Sequence, residues 1–227
     1  YKDTWDLMAA VKEESGGMPP GLLGDIRSLF GVTRCIRYEK AEGYTWLEEG
    51  MLSEELRKAG GLESLKNTGI QKLDGRYRIK VSMVILDQDS FQEFLEETGL
   101  DSSVTEVTVN RIWDNVNSHF RARAYLPFIS AVDDPVTVAV DEGNGMGEPG
   151  DRGSIQLHTG AYTNQVPDLR EEYPDFSLVH IMPEQIYEEK AGNRVPGEVY
   201  YQIKAVSDEA VPKLEESVRR LMDGKMD

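Results

Sequence analysis

Three times along this chain a β-rich apolar run meets a polar turn, and an amphipathic helix follows at once. The first copy is Ile79-Lys80-Val81-Ser82-Met83-Val84-Ile85-Leu86, then Asp87-Gln88-Asp89-Ser90, then Phe91 to Glu97. The second is Phe176 to Ile181, then Met182-Pro183-Glu184, then Gln185 to Lys190. The third is Val199 to Val206, then Ser207-Asp208-Glu209, then a helix to about Met222. Each unit has a helix with one apolar stripe beside a strand that needs cover. Helices stacked on a sheet satisfy both, and short, right-handed connections limit how they can be joined. The expected class is mixed α/β (α+β): a mixed-sheet sandwich built from strand–turn–helix units.

Elsewhere the pattern varies. Residues 4–14 read as a helix with Trp5, Met8 and Val11 on one face, broken by Gly16-Gly17-Met18-Pro19-Pro20. A second helix is expected over 20–30, from the spacing of Leu22, Leu23, Ile26, Leu29 and Phe30, with Gly31 at its end. A strand at 32–41 follows. Ser53 opens a helix at 53–59, and Asp74-Gly75 is a hairpin-type turn before a strand at 76–86. The region 101–175 alternates, carries turn signals and has little helical period, so three to five strands are expected there. The organisation expected is an α/β core from 1–100 plus 176–227, with 101–175 as a β-rich inserted subdomain.

Forty-one acidic residues against 25 basic ones give a net charge of −16. A polyanionic backbone would be repelled, which argues against nucleic acid as a partner. Cys35 is the sole cysteine, so no internal disulfide can form, and its alternating surroundings make it a small buried strand residue. No run approaches the ~18 apolar residues of a membrane span, and no signal peptide is visible. The chain opens at Tyr1 rather than Met and reads as a processed or excised piece, so this says little about the native protein.

Four places resemble chemistry. Asp87-Gln88-Asp89 after an apolar strand resembles the Asp-x-Asp of haloacid-dehalogenase-type phosphatases, where the first Asp attacks phosphorus and the second protonates the leaving group. That motif continues x-Thr/Val, whereas Ser90-Phe91 stands here, and the simpler role is a cap on the following helix. Asp133-Asp134 would be its metal-binding acid pair, after a weakly strand-like run. Gly145-Met146-Gly147-Glu148-Pro149-Gly150 formally matches a dinucleotide fingerprint, but Pro149, Asp151 and Gly153 deny it the helix whose N-terminus would face a pyrophosphate. The acids of that loop, 141–153, are oxygen ligands of the kind calcium uses, without EF-hand spacing. His119, His158 and His180 lie far apart and lack metal-ligand spacing; His180, in an apolar run, reads as a hydrogen-bonded strand residue. No catalytic, metal or cofactor-binding residue is therefore assigned, and no cofactor is expected. The one basic, aromatic stretch, His119 to Tyr125, reads as a half-buried strand, with Phe120, Arg121, Arg123 and Tyr125 as the candidate partner contact.

Several phrases resemble a family. Leu29-Phe30-Gly31-Val32 entering a strand looks like the opening of extracytoplasmic domains in FtsX/MacB-type ABC transporter permeases. Val84-Ile85-Leu86-Asp87-Gln88-Asp89-Ser90-Phe91 is similar to their "Asp-x-x-Ser-Phe" before a helix, and Val109-Asn110 to a recurring Val-Asn. Ile181-Met182-Pro183-Glu184-Gln185-Ile186-Tyr187-Glu188 resembles their strand, small turn and x-x-Tyr-Glu unit, and the strand, Ser-Asp and final helix are similar too. The resemblance covers most of the chain. It implies a non-enzymatic domain on the extracytoplasmic side of a cell membrane. Its implied partners are a cytoplasmic ABC ATPase, reached through membrane helices this sequence lacks, a second permease subunit, and a peptide, lipid or protein cargo. It transfers no catalytic residue. Two alternatives stand beside it: a metal-dependent phosphatase using Asp87 and Asp89, and a free-standing extracellular ligand-binding module.

Overall fold

The computed structural model of the chain describes residues 5–12, 21–58, 71–109, 112–113, 125–126, 136–140, 154–169, 177–191 and 198–226. Their elements run β1 (Leu7–Lys12), α1 (Leu22–Arg27), β2 (Val32–Glu48), α2 (Glu54–Lys58), β3 (Gln71–Leu73), β4 (Arg76–Leu86), α3 (Gln88–Thr98) and β5 (Val107–Val109). Then come β6 (Ile112–Trp113), β7 (Tyr125–Leu126), β8 (Val136–Val140), β9 (Ser154–Leu157), β10 (Ala161–Thr163), β11 (Ser177–Pro183), α4 (Glu184–Ala191), β12 (Glu198–Ala205) and α5 (Val211–Met226).

The main path of the sheet is β1-β12-β2-β4-β11-β5-β10. The β4–β11 and β5–β10 pairs are parallel and the others antiparallel, so the fold is mixed α/β with a mixed sheet. At roughly 3.3 Å per residue, the 17 residues of β2 span more than one sheet's width of neighbours. Its first half pairs with β12, its second half pairs with β8 at Gly43 and Tyr44, and β4 lines its other edge from Tyr38 to Glu48. The sheet thus has a second wing, with β9 beyond β8 and β3 beyond β4.

Period-two alternation sorts the core onto both faces. Val199, Tyr201, Ile203 and Ala205 of β12, with Cys35, pack against α1 and α5 through Leu22, Ile26, Leu214 and Val218. Ile79, Val81, Met83 and Ile85 of β4 pack on that side with Leu178, Met182, Ile155 and Tyr187 of α4. The opposite face carries Ile36, Tyr38, Val84, Leu86, Val179 and Ile181 under Phe91, Phe94 and Leu95 of α3. Helix α3 begins where Asp87 accepts the Ser90 N–H, and it ends at Gly99, whose φ of 69° closes a Schellman motif: Gly99 N–H to Glu96 O and Leu100 N–H to Leu95 O.

The three strand–turn–helix units are present as β4–α3, β11–α4 and β12–α5. The helix expected over 4–14 is not: Leu7–Lys12 is strand β1, paired antiparallel with β12 from Leu7↔Ile203 to Lys12↔Glu198. Leu, Met, Ala and Lys favour helix locally, but a six-residue segment gains more from a ladder and a half-buried face than from an isolated helix, which is marginal at that length. The 20–30 helix contracts to Leu22–Arg27, and the strand expected to end at 41 continues to Glu48.

Candidate functional site

In the parallel pair β4–β11, Leu86 lies beside Pro183, so Asp87 and Glu184 follow as neighbours at the carboxyl ends of the two strands. The following helices diverge, α3 to one face and α4 to the other. This is a topological switch point, the place where open sheets of parallel strands most often hold ligands.

Here the crevice is occupied by the protein's own charges. Asp87 Oδ1 accepts from Arg27 Nη2 (3.0 Å) and from the Ser90 N–H (3.1 Å). Its Oδ2 accepts from the Arg37 N–H (3.0 Å) and from Ser90 Oγ (2.7 Å). A carboxylate offers about four acceptor sites, and all four are used on a side chain only 4% exposed. Arg27 also donates from Nη1 to Asp89 (2.9 Å) and from Nε and Nη2 to the Cys35 carbonyl. Arg37 grips Glu184 in a bidentate pair, with Nε 2.6 Å from Oε1 and Nη2 on Oε2. Burial pushes the Glu184 carboxyl above its usual range despite the opposing Arg37 guanidinium. Burial likewise pushes the Cys35 thiol up to about 12. The result is an ionic lattice tying α1, β2, α3 and α4 together. Asp87 therefore has no lone pair to aim at phosphorus, and Asp89, 81% exposed, is turned to Arg27. Among the described residues, no group of three or more His, Cys, Asp or Glu could hold a metal ion.

A second polar cluster is buried on the other side of β11. Glu106 Oε1 lies 3.0 Å from His180 Nε2, and His180 Nδ1 lies 2.9 Å from Thr108 Oγ1, which lies 2.9 Å from Thr159 Oγ1. Glu106 Oε1 also accepts the His158 N–H (3.3 Å), and Oε2 meets Lys190 Nζ of α4 (3.2 Å), which donates to the Gln156 carbonyl as well. The hydrogen-bond logic sets the tautomer. The carboxylate only accepts, so Nε2 carries the proton and Nδ1 accepts from the Thr108 hydroxyl. Burial lowers the affinity of His180 for a second proton. Burial pushes Glu106 upward, but its hydrogen bond to His180 and the nearby Lys190 ammonium outweigh this and hold it below its ordinary value. Hydroxyl, imidazole and carboxylate stand in the order of a nucleophilic triad. Yet Thr108 is 4% exposed and its oxygen is already shared between His180 and Thr159, so the arrangement works as polar core, not as an exposed nucleophile.

His180 was expected as a hydrogen-bonded strand residue, and both ring nitrogens have partners. Its partners Glu106 and Thr108 carry no sequence signal, because only the pairing of β11 with β5 brings them to it. Phe120, Arg121 and Arg123 lie outside the described residues, as do His119, Asp133-Asp134 and the 141–153 loop; of the expected partner contact only Tyr125 is placed, in β7 opposite Trp113. No protein family matches the chain, and no curated protein does.

Proposed function

We propose that this chain is a non-catalytic extracytoplasmic domain of an ABC transporter permease of the FtsX/MacB type. It contacts cargo or partner proteins and couples to ATP-driven motion of membrane helices in the same polypeptide. The observation that supports this best is the saturated lattice around Asp87. The turn after β4 caps α3 and braces it to α1 and β2 through Asp87, and Arg37 of β2 holds Glu184 after β11, so these two strand–turn–helix units are fastened through β2. Stiffness between elements is what a domain that relays displacement needs, and among the described residues the crevice carboxylates Asp87 and Glu184 are both held by arginines. The pairing of β2 with β12, which joins early and late parts of the chain in one sheet, is in keeping with it. The reading also expects Tyr1 and Asp227 to lie near each other, since both would lead into the membrane; both fall outside the described residues.

The native gene tests this directly. Hydrophobic spans flanking the segment, an adjacent ATPase gene, and loss of cargo-stimulated ATP hydrolysis on deleting residues 1–227 are expected. A gene encoding a lone secreted or cytoplasmic protein would refute the proposal. Turnover of a phosphate monoester with magnesium that disappears in Asp87→Asn would do so from the enzyme side.

A further inference from the structure

Natural sheets guard their edge strands with charges, prolines or bulges, since an open row of N–H and C=O groups invites another strand. Strand β1 stands at the end of the main sheet and pairs only with β12 among the described residues. Its sequence, Leu-Met-Ala-Ala-Val-Lys, has no proline and one charge, at the last position. Met8, its second residue, is 47% exposed. The strand is also built from helix-favouring residues, and a disagreement between local preference and fold is expected where function overrides stability.

The small residues leave space. Beside β1 runs a groove of about 320 Å³, floored by Leu7 and Ala9 and walled by Val218 and Met222 of α5. Ala9 does not fill the volume under the helix, so side chains arriving from outside can. Glu215, Arg219 and Asp223 border the groove. The chain as a whole carries −16. The strand is anchored for the purpose. Just before it, Trp5 is 2% exposed and donates its indole N–H to the Asp168 carbonyl, and Asp6 accepts from the Ala205 N–H.

We infer that β1 is a docking edge for an extended segment of a partner protein, in which apolar residues alternate with Lys or Arg. The segment adds a strand to the sheet. Its backbone pairs with the open edge of β1, alternate apolar side chains enter the groove toward Val218 and Met222, and the basic residues between them stand on the opposite face beside Met8, drawn by the chain's net charge of −16. A second copy of this chain fits less well, because it would bring another −16 to the same edge. The inference deepens the proposed function and rests on it only for the existence of a protein partner.

The test uses the 227-residue chain and synthetic eight-residue peptides of four Lys, two Val and two Leu. One peptide alternates basic and apolar residues; a second has the same composition in blocks; a third alternates with Glu in place of Lys. The alternating basic peptide is expected to bind and to slow hydrogen exchange in Leu7–Lys12, the blocked and acidic peptides to bind at least about tenfold more weakly. Met8→Lys, at an exposed position, and Ala9→Leu, which fills the groove from within, should each weaken binding about tenfold or more, with an unchanged circular dichroism spectrum confirming the fold. The inference fails if Met8→Lys binds the peptide as the parent does, if protection appears away from β1, or if the parent sediments as a dimer that Met8→Lys dissolves. None of these outcomes depends on whether the native gene encodes membrane spans.

Discussion

Asp87→Ala tests the lattice most severely, and its magnitude follows from the contacts. The substitution removes the cap of α3, worth ~1 kcal/mol. It also leaves the Arg37 N–H and the Ser90 hydroxyl without an acceptor in a site only 4% exposed, at ~1–3 kcal/mol for each donor left unpaired. Arg27, a third exposed, keeps Asp89 and the Cys35 carbonyl, so its loss is small. The sum is about 3–7 kcal/mol, which for a chain of this length lowers Tm by roughly 10–20 °C. Asp87→Asn retains an oxygen and remains a good cap, but its amide nitrogen faces donors, and the expected loss is about half. Asp89→Ala, removing an 81%-exposed side chain, should change stability by less than ~0.5 kcal/mol. Urea titrations followed by circular dichroism give all three values, provided the denaturant slope is unchanged. If Asp87→Ala lies within ~0.5 kcal/mol of the parent, the four-bond account of this carboxylate is wrong and Asp87 is free for another role.

The buried His180 cluster predicts acid sensitivity of a definite sign. Burial holds the native pKa of His180 below its ordinary value, so the unfolded chain takes up that proton first. The stabilisation is therefore complete above the unfolded value of about 6.5 and is lost as pH falls through it toward the native one. Urea midpoints should fall between pH 7.5 and 5.5 in the parent, and the fall should be shallower in His180→Gln; an equal slope in both would remove His180 as the source. Cys35, pushed up to about 12 and buried, should not react with a thiol reagent at pH 8 in the native protein and should react at once in urea. Fast labelling of the native chain would show that α1 opens readily from β2.

The strand–turn–helix units were legible because each carries both periods within a few residues, as Val84-Ile85-Leu86 followed by Phe91, Phe94 and Leu95 shows. Asp87 was legible as a cap for the same local reason. Strand β1 was not, since Leu-Met-Ala-Ala-Val-Lys fits a helix and only the exposed flank of β12 makes it a strand. The continuation of β2 through Tyr44, Trp46 and Leu47 depends on β4 and β8 supplying partners there. The two polar clusters were invisible for a further reason. Arg27 and Arg37 reach Asp87 and Glu184 from 50 to 147 positions away, and Glu106 meets His180 across 74, so no spacing rule could join them.

The long strand β2 has a consequence for how the domain comes apart. A sheet made of two separately paired wings could lose one and keep the other. Here one backbone belongs to both, and β4 is zipped along it over eleven consecutive pairs. The second half of β2 cannot melt away from the α1–α5 side without breaking that shared ladder, so β2 and β4 behave as one cooperative unit instead of two foldons in series, with β8 joined to it at Gly43 and Tyr44. A pull applied at either end must shear the same row of hydrogen bonds.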